Sequence, residues 1–93
     1  MKVKRIRVNV MTYDSFFKVM TDKRLEILRM IKKKHPSSVY ELAKILKRDA
    51  KNVTQDLEYL KDIGLVEIKR TKEKKERTIP QVNYDKIDLE IAV

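Results

Sequence analysis

No cysteine occurs among the ninety-three residues, and glycine and histidine occur once each. Without cysteine there is no disulfide framework, no thiolate metal site and no cysteine nucleophile. The absence also fits a reducing compartment. A single glycine cannot build a phosphate-cradling loop, which needs several within a few residues. The one histidine, His35, precedes Pro36 at an expected helix end. That position suits dipole compensation or plain exposure better than general-base work. No His/Cys/Asp/Glu spacing suits a metal. The carboxylates lie among lysines on faces expected to be exposed, not in the desolvated surroundings that a general acid requires. An enzyme is therefore not expected, and no cofactor is implied. No apolar run approaches the roughly 18 residues of a membrane helix. The opening stretch MKVKRIRVNV interleaves charge with apolar residues, unlike the apolar region of a secretory signal. A cytoplasmic location is the expectation.

What the chain does have is positive charge. Lysine and arginine number 23 against 14 acids, a formal net charge of +9. A pI near 9.8 meets the basic-domain criterion for nucleic-acid binding. Basic chains also bind ribosomal RNA, membranes or acidic proteins, so charge alone does not decide. Hydrophobic residues make up 42%, which argues against disorder. The length fits one domain, residues 1–93, burying roughly 60–65% of its unfolded surface. A core of that size leans on a partner.

Along the chain, Ile6, Val8 and Val10 alternate with Arg5, Arg7 and Asn9, as in a strand over residues 3–10. MTYDSFFKVM reads as a short helix, completing an N-terminal unit of residues 1–20. Its Tyr13, Phe16 and Phe17, with Tyr40 farther on, are read as core rather than as a base-stacking set. A core with hairpin follows over residues 21–83. Thr21 caps a helix whose stripe is Leu25, Leu28 and Ile31, widened by Ile27 and Met30; Pro36 stops it. Ser38-Val39-Tyr40-Glu41 has the capping-box pattern. It starts a helix with Val39, Leu42, Ala43, Ile45 and Leu46 on its buried face, ending near Lys47. Asp49 then caps a third helix, 49–62, striped by Ala50, Val53, Leu57 and Leu60. Gly64 falls where a left-handed residue would end that helix. Leu65–Ile68 reads as a strand, Lys69–Arg77 as a charged loop and Thr78–Val82 as a return strand. Pro80 confines that strand to an edge. Residues 84–93 give a last strand with Ile87, Leu89, Ile91 and Val93 on one face.

The last two helices of the trio are joined by a turn of about three residues, as a helix-turn-helix requires. The expected fold class is α+β: a winged helix-turn-helix, with a three-helix core and β-hairpin wing, and extra N- and C-terminal strands. The pieces KRLEIL, ELAKIL and RDAKNVTQDLEYLKDIGLVE, within residues 21–68, resemble the winged helix-turn-helix transcriptional regulators of archaea and bacteria. The likeness is closest to a group of small archaeal regulators. It implies a cytoplasmic DNA-binding regulator, often dimeric, and names neither operator nor effector.

DAKNVTQDLEYLKD, the stretch that should read DNA, contains four acids and two lysines. With Val53 at the centre of the buried face and steps of about 100° per residue, Lys51, Gln55, Glu58 and Asp62 point outward. Helices of this kind meet base edges with their N-terminal part. The expected base readers are Lys51, Asn52, Thr54 and Gln55; lysine donates to guanine, and asparagine and glutamine suit adenine. Asp49 serves as cap, Asp56 borders the buried face, and Glu58 and Asp62 are distal. Phosphate contacts are expected from Lys44, Lys47 and Arg48, and from Arg70, Lys72, Lys74, Lys75 and Arg77 in the charged loop.

The terminal strands carry matching charge. An antiparallel pairing would set Arg5 against Glu90, Arg7 against Asp88, Ile6 against Leu89 and Val8 against Ile87. Whether it forms within or between chains stays open. Long apolar edges and a small core favour a homodimer. The alternative to double-stranded DNA is a winged helix that binds protein through the acidic face of the third helix. RNA ranks lower, because that face lacks the aromatic pairs that stack single-stranded bases.

Overall fold

In the computed structural model, which describes residues 1–72 and 77–93, four helices and the strands flanking them form a small α+β fold. The order is β1 (Val3–Asn9), α1 (Tyr13–Val19), α2 (Asp22–Lys34), α3 (Val39–Leu46), α4 (Ala50–Asp62), β2 (Glu67–Thr71), β3 (Arg77–Gln81) and β4 (Lys86–Ala92).

Local chemistry sets the helix ends. The Thr21 hydroxyl accepts the Arg24 N–H and starts α2. Asp22 in its first turn and Lys32–Lys34 in its last complement the helix dipole. The left-handed His35, with φ of 48°, ends it, and Pro36 cannot extend it. The Ser38 hydroxyl accepts the Glu41 N–H at 3.0 Å. Only this half of the expected capping box forms, because the Glu41 carboxylate accepts from the Ser37 hydroxyl at 2.6 Å.

α4 closes through Gly64, whose φ is +82°. The Gly64 N–H donates to the Lys61 carbonyl and the Leu65 N–H to the Leu60 carbonyl, both at 2.9 Å. This pair of bonds is a Schellman motif, with buried Leu60 and Leu65 as its apolar contact. A Cβ at position 64 would meet only the Lys4 side chain, at 3.8 Å or more. The cost of a side chain there is thus backbone strain rather than a clash. Gly64→Ala should lower stability by about 1 kcal/mol, read as a lower denaturant midpoint with an unchanged slope. An unchanged midpoint would refute the assignment.

The core joins Ile27, Leu28 and Ile31 of α2, Leu42 and Ala43 of α3, and Val53, Leu57 and Leu60 of α4, with Leu65 and Val66 beneath. Two sequence expectations are corrected here. Leu25 stays 46% exposed, because the α2 stripe centres on Ile27 and Ile31. Of the four aromatics expected in the core, Phe16 alone is buried; Tyr13, Phe17 and Tyr40 are exposed.

β2 and β3 form an antiparallel hairpin in which Glu67 faces Gln81 and Thr71 faces Arg77. Its strands reach into the stretch read as loop, so Lys69 and Arg70 lie on β2. Pro80 is accommodated because the sheet has two strands, each with a free edge. β1 and β4 pair within the chain, and parallel rather than antiparallel. Ile6 faces Leu89 as expected, but Arg5 stands beside Asp88, Arg7 beside Glu90 and Val8 beside Ile91. The direction is set where both strands leave the core. The Asp85 carboxylate accepts the Lys2 N–H at 2.7 Å and pairs with Lys32 of α2 at 3.1 Å. The Asp85 N–H in turn donates to the Lys2 carbonyl at 2.7 Å. The backbone bond from Lys2, then Lys32, hold this carboxyl below its usual range. Beside it the Tyr84 hydroxyl donates to the Leu65 carbonyl at 2.7 Å. Burial pushes its phenol up to about 12.

Candidate nucleic-acid interface

Lys47, Arg48 and Asp49 make the turn between α3 and α4. Lys47 takes the left-handed conformation, with φ of 55°, which bends the chain sharply after α3. The Arg48 N–H returns to the Ala43 carbonyl at 3.0 Å. The Asp49 carboxylate accepts the Lys51 N–H at 2.8 Å and caps α4. Buried Leu42 and Ala43 on one helix, and Val53 and Leu57 on the other, hold the two at a fixed angle.

The acids of α4 separate by role. Asp49 is the cap. Asp56 turns inward, its side chain 15% exposed, between two guanidiniums. Arg24 Nε lies 3.2 Å from Asp56 Oδ1 and Arg48 Nη2 lies 2.8 Å from Asp56 Oδ2. Arg24 also donates to the Val19 carbonyl at 2.9 Å and lies 4.3 Å over the Tyr59 ring. This triad ties α2 to the turn and to α4, and it carries one net positive charge. Only Glu58 and Asp62 remain as outward acids, in the C-terminal half of the helix.

The residues expected to read bases all emerge on one exposed side of α4. Lys51, Asn52 and Gln55 are exposed, and among the described residues their side chains make no hydrogen bond. Thr54 is exposed too, but its hydroxyl donates to the Ala50 carbonyl at 2.8 Å. That leaves its methyl group and its oxygen lone pairs to an incoming ligand.

The expected phosphate contacts are spread more widely. Lys47 is exposed at the turn, Arg70 on β2 and Lys72 just beyond it. Lys44 and Arg77 line one open groove of about 480 Å³ between α3 and β3, together with Ser37, Ser38, Tyr40 and Thr78. Arg48 is not free in this way, because Asp56 holds its guanidinium. Lys74 and Lys75 lie outside the described residues.

The sequence reading missed the part that Arg24 plays and misread Tyr40 as core. Arg24 lies 32 positions from Asp56, and no pattern links residues so far apart. Tyr40 is 65% exposed, and the Lys44 ammonium lies 4.8 Å from its ring centre. Its signal was legible: Tyr40 and Lys44 are spaced i, i+4, opposite the Leu42–Ala43 face.

This surface lies within the part of the chain that has recognisable kin. The HVO_A0114 family matches residues 19–89, from the end of α1 to the middle of β4. The chain belongs to the HVO_A0114 family. No curated protein matches it. The match to HVO_A0114 takes in the exposed positions of α3, α4 and the hairpin named for this surface, together with the Arg24–Asp56–Arg48 triad. Among the described residues, no helix is long and apolar enough to cross a membrane.

Proposed function

We propose that the chain is a winged helix-turn-helix protein that binds double-stranded DNA sequence-specifically and regulates transcription. In this reading α4 enters the major groove, with Lys51, Asn52, Thr54 and Gln55 against base edges. The β2–β3 hairpin is the wing. Lys44, Lys47, Arg70, Lys72 and Arg77 contact the phosphate backbone. The observation that carries the reading is the sorting of charge on α4. Its acids are used as a cap, paired inward or kept distal, so the half nearest the turn offers Lys51, Asn52 and Gln55 unengaged. As a homodimer the protein would present two such helices to half-sites about one DNA turn, or about 34 Å, apart.

A second reading, a winged helix that binds protein, is favoured by one feature. Glu58, Tyr59 and Asp62 form an exposed acidic end of α4 that could meet a basic partner. Fluorescence anisotropy of a labelled random duplex, titrated at several salt concentrations, separates the two. Five phosphate contacts predict a log–log slope of about −4 to −5. No binding at low salt would eliminate the DNA reading and favour the acidic face. On a selected site, Gln55→Ala should cost about 1–3 kcal/mol at one base position and relax preference there. Arg70→Ala should weaken all sequences alike. Equal, sequence-independent losses in both variants would remove the base-reading role of α4.

A further inference from the structure

Among the described residues, five exposed apolar side chains gather away from α4, at the outer end of the β1–β4 ribbon. Met11 is 85% exposed, Val10 52%, Phe17 51%, Ile91 47% and Tyr13 43%. The topology brings them together. Val10 and Met11 follow β1 where Asn9 faces Ala92, and Ile91 faces Val8. α1 folds back along β1, with the Tyr13 and Phe17 rings edge to face at 6.2 Å. Together these five side chains leave on the order of 500 Å² of mostly apolar surface, as large as the largest patches on ordinary monomers.

The ribbon beneath is an unfinished sheet. Two-stranded sheets are marginal in water, and parallel strands are ordinarily covered on both faces. Here the core reaches only the inner part of the ribbon, through Ile6 and Ile87.

Charge selects what covers the patch. Residues 3–20 carry four basic side chains and one acid, and residues 85–93 one basic side chain and three acids, so this unit has a net charge of +1 out of the chain's +9. The remaining +8 lies on the rest of the chain, so like-charge repulsion between two copies is weaker here than for the rest taken together. The near neutrality also offers nothing to draw a strongly charged partner. Under a two-fold axis each patch covers its own image. Two patches then bury about 1,000 Å² before any polar rim is counted, the lower bound for a specific interface.

We infer that two copies of the chain associate through this surface, with Val10, Met11, Tyr13, Phe17 and Ile91 at its centre. The inference rests on the reading of the chain as a homodimer, and not on DNA binding. Sedimentation equilibrium of the full chain at micromolar concentration tests it. The wild type should sediment at twice its 11.1 kDa chain mass. Met11→Lys and Phe17→Lys should each weaken the dimer about 100-fold or more, with circular dichroism unchanged. Tyr40→Lys, at a comparably exposed site on α3, should remain dimeric. A monomeric wild type would overturn the homodimer itself. A dimeric wild type whose Met11→Lys and Phe17→Lys variants stay equally dimeric would place the interface elsewhere.

Discussion

Asp56→Ala should lower the unfolding free energy by about 3 kcal/mol, a large part of the roughly 5–14 kcal/mol available to a chain of this size. Asp56 is the one acid between Arg24 and Arg48, and the three side chains are 15%, 16% and 25% exposed. Removing it leaves two guanidiniums of like sign without their counter-charge. Breaking a fully buried pair in this way costs about 3–5 kcal/mol, and this triad is part-buried. The lower end applies because Arg48, the most exposed of the three, can swing toward water. Arg24 has less freedom, being held also by the Val19 carbonyl and the Tyr59 ring. Arg48→Ala should accordingly cost less, about 1 kcal/mol. Chemical denaturation of the three proteins checks both figures. A midpoint for Asp56→Ala within error of the wild type would show that the triad contributes nothing to the fold. The triad also fixes α4 against α2, so the same variant should weaken the proposed DNA binding even where it remains folded.

Under the proposed DNA-binding reading, the combined variant Lys44→Ala, Arg70→Ala, Lys72→Ala and Arg77→Ala should lose DNA affinity by roughly 10³-fold at about 0.1 M salt. Each phosphate contact releases about 0.9 counterion, worth close to a factor of eight at that concentration. The log–log slope should become shallower by about 3.6. All four side chains are exposed, so stability should change by no more than about 0.5 kcal/mol per site. Salt-dependent anisotropy on the wild type and the variant gives slope and affinity together. An unchanged slope would remove Lys44, Arg70, Lys72 and Arg77 from the phosphate account and leave the other expected contacts, Lys47 among them, to explain any binding.

Much of the fold was legible because it is written in short-range chemistry. The stripe Val53, Leu57 and Leu60 on α4 could serve only as a buried face. Thr21, Ser38 and Asp49 each supply an oxygen to an N–H two or three residues on, a signal that needs no tertiary knowledge. The lone glycine ends α4, where the Schellman bonds require a left-handed residue; Lys47 meets the same requirement after α3 without being glycine. Base-reader candidates were legible for the same reason: helical periodicity, once Val53 is placed inside, puts Lys51, Asn52 and Gln55 outside.

Direction, long-range pairing and the far edge of the core were not legible. Alternation with a period of two assigns a strand's faces but says nothing of its direction. Both the parallel and the antiparallel register set Ile6 opposite Leu89 and a basic side chain opposite an acid. The choice falls to the anchor that Lys2, Asp85 and Lys32 make where the two strands leave the core, a contact among three segments remote in sequence. Likewise the sequence alone determined that α4 would carry acids close to the turn that precedes it, and it placed Asp56 at the edge of the buried face. Only the tertiary structure decided that Asp56 belongs to Arg24 and Arg48, because an ion pair depends on which helices meet and not on spacing along any one of them.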